Sequence, residues 1–222
     1  MILLISGFIS ISLLTETIGV FFRLLGSLNN LPTLGYSIHV RVATLGRFFT
    51  FLSAPALGFI VDSGSSSKDI ALIGAISFLF VSFFGLLITL KGESMINFGY
   101  SKFTNSKKFI KFQKMNLTFK LISRNLNFIF IVAISFLTTA VGIILVNYLA
   151  TIFVDFRATI VQTTALITAF GTLIHVFIVD PKLAKAGDEN PILLNSLVYG
   201  FVIARVVISL LLSIVFILVY LT

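Results

Sequence analysis

The sequence predicts an all-α integral membrane protein, a bundle of about six transmembrane helices, and three observations predict it. First, 58% of the 222 residues are hydrophobic and only 11% are charged, with a mean hydropathy of +1.11. Soluble domains are near 45–50% apolar and about a quarter charged. Second, the apolar residues fall into six runs, each long enough to cross a bilayer, which takes about 20 residues. Third, the breaks between those runs carry Gly, Pro, Asn, Asp and Ser, the residues that make turns.

The predicted spans are 2–25, 33–61, 69–90, 126–154, 158–179 and 191–220, in one polytopic domain covering 1–222. The first begins MILLISGFISISLL, with neither a basic stretch nor a small-residue cleavage site before Glu16. It therefore reads as a retained helix rather than a signal peptide. GSLNNLP (26–32) separates it from the second span, and DSGSSSK (62–68) separates the second from the third. The fourth and fifth are joined only by DFR (155–157), so they form a tight hairpin, and DPKLAKAGDEN (180–190) reads as the last loop.

The long connection 91–125 carries Lys91, Lys102, Lys107, Lys108, Lys111, Lys114, Lys120 and Arg124 against one acid, Glu93. The positive-inside rule places this loop in the cytoplasm. Counting spans outward from it, 26–32 and 180–190 are also cytoplasmic and both termini lie outside. The external connections then hold only Lys68 and Arg157. SKKFIKFQKMNLTFKLISR interleaves Lys with Phe, but beside a membrane it reads as a segment lying on anionic lipid, not as a nucleic-acid site. The formal charge of +8 is therefore a statement of orientation.

Several chemistries are excluded. There is no cysteine, and His39 and His175 are the only histidines, so a disulfide framework, a thiol nucleophile and a His-rich metal site are all ruled out. HExxH, GxSxG, Walker A and dinucleotide glycine motifs are absent. The chain is expected to be neither an enzyme nor a cofactor protein. Transport of small anions usually comes with inverted repeats and broken helices, and the sequence displays neither.

What needs explaining is the charge inside the spans, because an arginine at mid-bilayer costs about 2.5–3.5 kcal/mol on insertion scales. At 1.5 Å per residue, Arg23 stands ~4 Å and Glu16 ~15 Å above the 26–32 loop, with Arg41 at ~12 Å and Arg47 at ~21 Å from Thr33. Arg205 is central in the sixth span, followed on its face by Ser209 and Ser213. The fifth adds Thr164, Thr168, Gly171, Thr172 and His175 at helical spacing. Turned together, these faces enclose a cationic cavity in which Arg23, Arg41, Arg47 and Arg205 bind an anion, guanidinium being suited to phosphate. Glu16, the only acid deep in a span, is the expected counter-ion, paired with Arg41 or Arg47. The plainer alternatives are a snorkelling Arg23 and a structural ion pair between the first two spans. Pro55 predicts a kink in the second span, and Ala54 with Gly58 a close helix approach there.

The run from Glu16–Thr17 through FRLLG (22–26), GYS (35–37), Arg47 and APALGFIVD (54–62) resembles the N-terminal half of the Amj family of bacterial lipid II flippases. A second block, Gln162 to Ala184, contains AFGTLIHVFIVDPKLA and resembles that family's glycine–Thr and VDP-x-LA segments. Together the blocks cover about a third of the chain. Glu16 stands where the family has aspartate, and Gly46 precedes Arg47 where the family has Ser. Glu16, Arg23, Arg47, Pro55, Asp62, Gly171, Thr172, Asp180 and Pro181 carry the pattern; His39 and Arg41 lie outside it. The resemblance implies a multi-pass protein of the bacterial cytoplasmic membrane. Its implied substrate is lipid II, the undecaprenyl-pyrophosphate-linked peptidoglycan precursor, moved from inner to outer leaflet. The alternatives are another polyprenyl-linked precursor, or a non-transporting membrane scaffold. Membrane lipids are the other expected partners, nucleic acid is not one, and a homo-oligomer is compatible with the chain's size.

Overall fold

The computed structural model describes residues 1–104 and 125–222, and of 91–104 the backbone alone. Every regular element among the described residues is helical, and six stretches are long and apolar enough to cross a membrane. They are α1 (Ile2–Leu28), α2 (Pro32–Asp62), α3 (Ser67–Thr104), α4 (Leu126–Ile152), a composite fifth span and α7 (Pro191–Leu221). The fifth opens with a 3-10 turn (Val154–Phe156), continues as α5 (Arg157–Ile174), widens into a π turn (His175–Val179) and ends as α6 (Asp180–Glu189).

The local chemistry explains the boundaries. Asn30 takes the left-handed conformation (φ 58°) that Asn tolerates better than most residues, and Pro32 then starts α2 with its φ already set. The side chain of Asn190 accepts from the backbone N–H groups of Ile192 and Leu193 at 3.1 and 3.0 Å, capping α7.

Two expected loops differ from expectation. The stretch 180–190 is almost wholly helical, because Leu183, Ala184, Lys185 and Ala186 are all strong helix formers. Residues 91–104, expected to open a basic loop, continue α3. The remainder of that loop, including the segment expected to lie on lipid, falls outside the described residues. The connection 155–157 is the tight turn expected, with Arg157 already in α5.

α1 is the central strut: it packs on α2, α3 and α7, while α4 bridges α7 and α5. Small residues allow the α1–α2 approach. A β-carbon at Gly26 would lie 2.6 Å from Gly35 Cα, and one at Gly19 would lie 2.8 Å from His39 Nδ1. Against α3, serines join the helices. Ser10 Oγ donates to the Ser77 carbonyl at 3.1 Å, and Ser6 Oγ to that of Ile73 at 3.2 Å. The apolar core forms two clusters. One includes Phe21, Leu24, Ile38, Leu194 and Phe201; the other includes Ile9, Leu57, Ile73, Phe78 and Phe136.

The ends of the bundle alternate as six antiparallel spans require. Ser27 Oγ donates to the Gly187 carbonyl at 2.6 Å, and Asn125 Nδ2 to Ser196 Oγ at 2.5 Å, at one end. Asp62 and Arg157 pair at 3.3 Å at the other.

The close approach expected at Ala54 and Gly58 is absent. α2 continues through Pro55, Ala54 and Pro55 are exposed, and nothing lies within 4 Å of a β-carbon placed at Gly58. Gly58→Ala is therefore expected to raise stability by up to about 1 kcal/mol through helix propensity alone. A thermal unfolding series in detergent checks it, and a lowered midpoint would mean that this surface is covered in the intact protein.

Candidate functional site

A cavity of about 320 Å³ lies between α2 and the fifth span. Tyr36, His39, Val40, Ala43, Thr44 and Arg47 form one wall, a single face of α2 at helical spacing. Thr172, His175, Val176 and Asp180 form the other, and α1, α4 and α7 form the floor. α2 packs extensively on α1 but makes no comparable interface with the fifth span, so the cleft opens sideways, past the exposed Val40 and Val176.

The π turn shapes the second wall. Pro181 has no N–H to give the Phe177 carbonyl, and its ring crowds that carbonyl in ordinary α geometry. The turn before it widens. Residues five apart lie about 140° apart around an α-helix, yet His175 Nε2 stands 3.4 Å from Asp180 Oδ1. The widened turn brings both onto the cleft face.

Asp180 then receives Arg23. Arg23 Nη2 donates to the same Oδ1 at 2.8 Å, and the Arg23 guanidinium stacks 4.7 Å over the Tyr36 ring. The Arg23 side chain is only 5% exposed, and its Nε and Nη1 have no hydrogen-bond partner among the described residues. This corrects two expectations. Arg23 is paired rather than snorkelling, and Asp180, expected in a loop, lies within the helical fifth span and joins Glu16 as an acid of the cleft.

Glu16 pairs with neither Arg41 nor Arg47. Its Oε2 accepts from Arg205 Nη2 at 3.0 Å. Arg205 Nη1 also reaches Thr17 Oγ1 (3.2 Å) and the Leu13 carbonyl (3.4 Å), while its guanidinium lies 4.4 Å over Phe201 and 5.0 Å over Phe136. Arg205 thus clamps α7 to α1 and presents an edge to the cleft.

The remaining expected site residues divide clearly. Arg47 lines the cleft, is exposed, and has no ionic partner among the described residues. Arg41 is exposed and outside the cleft, so the expected ladder lacks its middle rung; His39 stands on the cleft wall instead. Thr172 lines the cleft, but Gly171 is a crossing point, its carbonyl accepting from Ser135 Oγ at 2.8 Å. Thr164 and Thr168 bond within their own helix or stay unpartnered, away from the cleft. Ser209 and Ser213 also fall outside it: Ser209 is buried, and Ser213 Oγ donates to the Ala75 carbonyl at 2.9 Å. Asp62 is at the far end with Arg157.

Ser135, Thr139, Tyr36 and the aromatic clamp of Phe136 and Phe201 were not among the expected residues. Of these only Tyr36 had a usable signal, its spacing of four, seven and eleven residues from Val40, Ala43 and Arg47. The cleft holds three guanidinium groups and two carboxylates, a smaller cationic excess than the four against one expected from sequence.

Fold and site together define a polytopic, all-α membrane protein with a charged cleft set among its spans. Comparison with protein-family models, with curated proteins and with solved structures finds no match for the chain.

Proposed function

We propose that the protein is a flippase for a polyprenyl-pyrophosphate-linked precursor, lipid II being the member that the Amj resemblance implies. One observation carries this: a cleft open to the side in which, among the described residues, Arg47 has no ionic partner and two N–H-bearing nitrogens of the buried Arg23 have none either. Buried donors of that kind are costly to leave unmade, and guanidinium matches phosphate oxygens in geometry and charge. The cavity volume is at the small end of ligand sites. It suits a pyrophosphate rather than a whole glycopeptide, which would ride in water at the mouth. The isoprenoid stays in lipid, beyond Val40 and Val176. In this reading the basic end of the bundle faces the cytoplasm, and the protein resides in the bacterial cytoplasmic membrane.

A second reading, a non-transporting scaffold, draws on a different observation: Arg23 and Arg205 are already paired. One experiment separates them. In bacteria depleted of their own flippases, this protein is expected to restore outer-leaflet accessibility of lipid II. Arg47→Ala, at equal membrane level, is expected to lower it at least tenfold. Wild-type protein that inserts well and restores nothing would remove lipid II as the substrate and put the scaffold first.

A further inference from the structure

We infer that an anion entering the cleft is accompanied by one proton, taken up by the Asp180 carboxylate that competes with it for Arg23. The inference rests on the flippase reading and adds its coupling. Asp180 Oδ1 is shared by Arg23 Nη2 at 2.8 Å and His175 Nε2 at 3.4 Å. Arg23 Nη1 and Nε are buried and have no partner among the described residues, so a phosphate reaches them only by moving the guanidinium off Asp180 and then sits beside that carboxylate. Two negative charges that close repel strongly away from bulk water.

The charge balance points the same way. Histidines aside, three arginines and two carboxylates leave the empty cleft at +1. A pyrophosphate diester carries −2, so a loaded cleft would stand at −1, and one proton on Asp180 returns it to zero. Neutrality is the condition for passing through hydrocarbon cheaply.

Glu16 is the less suitable acceptor. Its partner Arg205 is held by Leu13, Thr17, Phe136 and Phe201, and has no freedom to exchange. The other groups facing the cleft are Tyr36, His39 and Arg47 from α2, while α4 offers only the hydroxyls of Ser135 and Thr139. His175, on the same turn as Asp180 and partly exposed, connects it to water in the cleft. The proton leaves by that path when the anion departs and the Arg23–Asp180 pair closes again.

The test is calorimetric. Purified full-length protein is titrated with farnesyl diphospho-N-acetylglucosamine in two buffers of different ionisation enthalpy. This diester has no titrating group near neutrality, so any proton belongs to the protein. Wild type is expected to take up about one proton per ligand, with affinity falling about tenfold per pH unit where it does so. Asp180→Asn is expected to bind with no proton uptake and a flat pH profile, and Asp62→Asn, at the far end of the bundle, to keep the wild-type count. Binding by wild type without proton uptake, or uptake surviving in Asp180→Asn, overturns the inference and leaves the flippase reading standing. No binding at any pH overturns both. If Asp180→Asn does not fold, His175→Gln decides: proton uptake kept in that variant leaves Asp180 as the acceptor, and uptake lost in it overturns the inference.

Discussion

Arg205→Ala is expected to destabilise the protein by about 2–3 kcal/mol, less than the cost of breaking a fully buried ion pair because the Glu16 side chain keeps 39% of its surface exposed. Arg205 is 3% exposed, and the substitution leaves Glu16 without its partner in the cleft floor. It also removes the filling between Phe136 and Phe201 and the two bonds to α1, at Leu13 and Thr17. The effect should be read as a fall in the thermal midpoint in mild detergent, followed by helical circular dichroism. A double variant, Glu16→Gln with Arg205→Met, should recover most of the loss, because an apolar chain of similar length fits between two phenyl rings. Arg47→Ala should leave the midpoint within about 0.5 kcal/mol of wild type, since it lies at the surface with no ionic partner. If Arg205→Ala instead kept the wild-type midpoint and lost transport, Arg205 would return to the role the sequence first suggested, a direct ligand of the anion.

That contrast marks how far the sequence could be read. The spans were legible because hydropathy alone decides which stretches enter lipid. Most bounds fall within a few residues of the helices, but α3 runs on to Thr104 and the fifth span to Glu189, where polar residues continue a helix that hydropathy does not mark. The spacing of Glu16, Arg23 and Arg47 along their helices was legible too, since helical rise is fixed. Depth along an axis, however, says nothing of direction around it. Arg41 and Arg47 differ by six residues and point about 120° apart. Only one of them can face a given neighbour, and the structure selects Arg47. The partner of Glu16 was hidden for a related reason: it is on α7, and nothing local in the chain states which face of α7 meets α1.

Asp180 was misplaced by its proline. Asp-Pro followed by polar residues reads as a turn, yet Pro is tolerated in the first turn of a helix, and α6 begins there. The widened turn before it is a tertiary feature with a local cause, visible in Pro181 but not interpretable until the chain on both sides was seen to be helical. The Asp-Pro pair is also part of the second block that resembles the Amj family. The residue expected to mark only that pattern turns out to be the partner of Arg23.

Gly35→Ala should be nearly as damaging as Arg205→Ala, by a different route. A β-carbon at Gly35 would lie 2.5 Å from the Phe22 carbonyl oxygen and 2.8 Å from Gly26 Cα. Both obstacles are backbone, so no side chain can swing aside, and the hairpin of α1 and α2 must open. Overpacking of this kind costs about 1–3 kcal/mol, and here it falls beside Tyr36, whose ring covers the Arg23 guanidinium. Prying α2 outward should therefore lower transport as well as the midpoint. The chain has no cysteine, which makes a disulfide reporter clean. Ser12 and Thr50, whose hydroxyl oxygens are 2.6 Å apart across the same hairpin, can be exchanged for cysteines. Oxidative cross-linking between them should be efficient in the parent and reduced at least severalfold when Gly35→Ala is added. Equal cross-linking and an equal midpoint would show that the hairpin opens without cost, and that the α2 wall of the cleft is held by something other than its glycines.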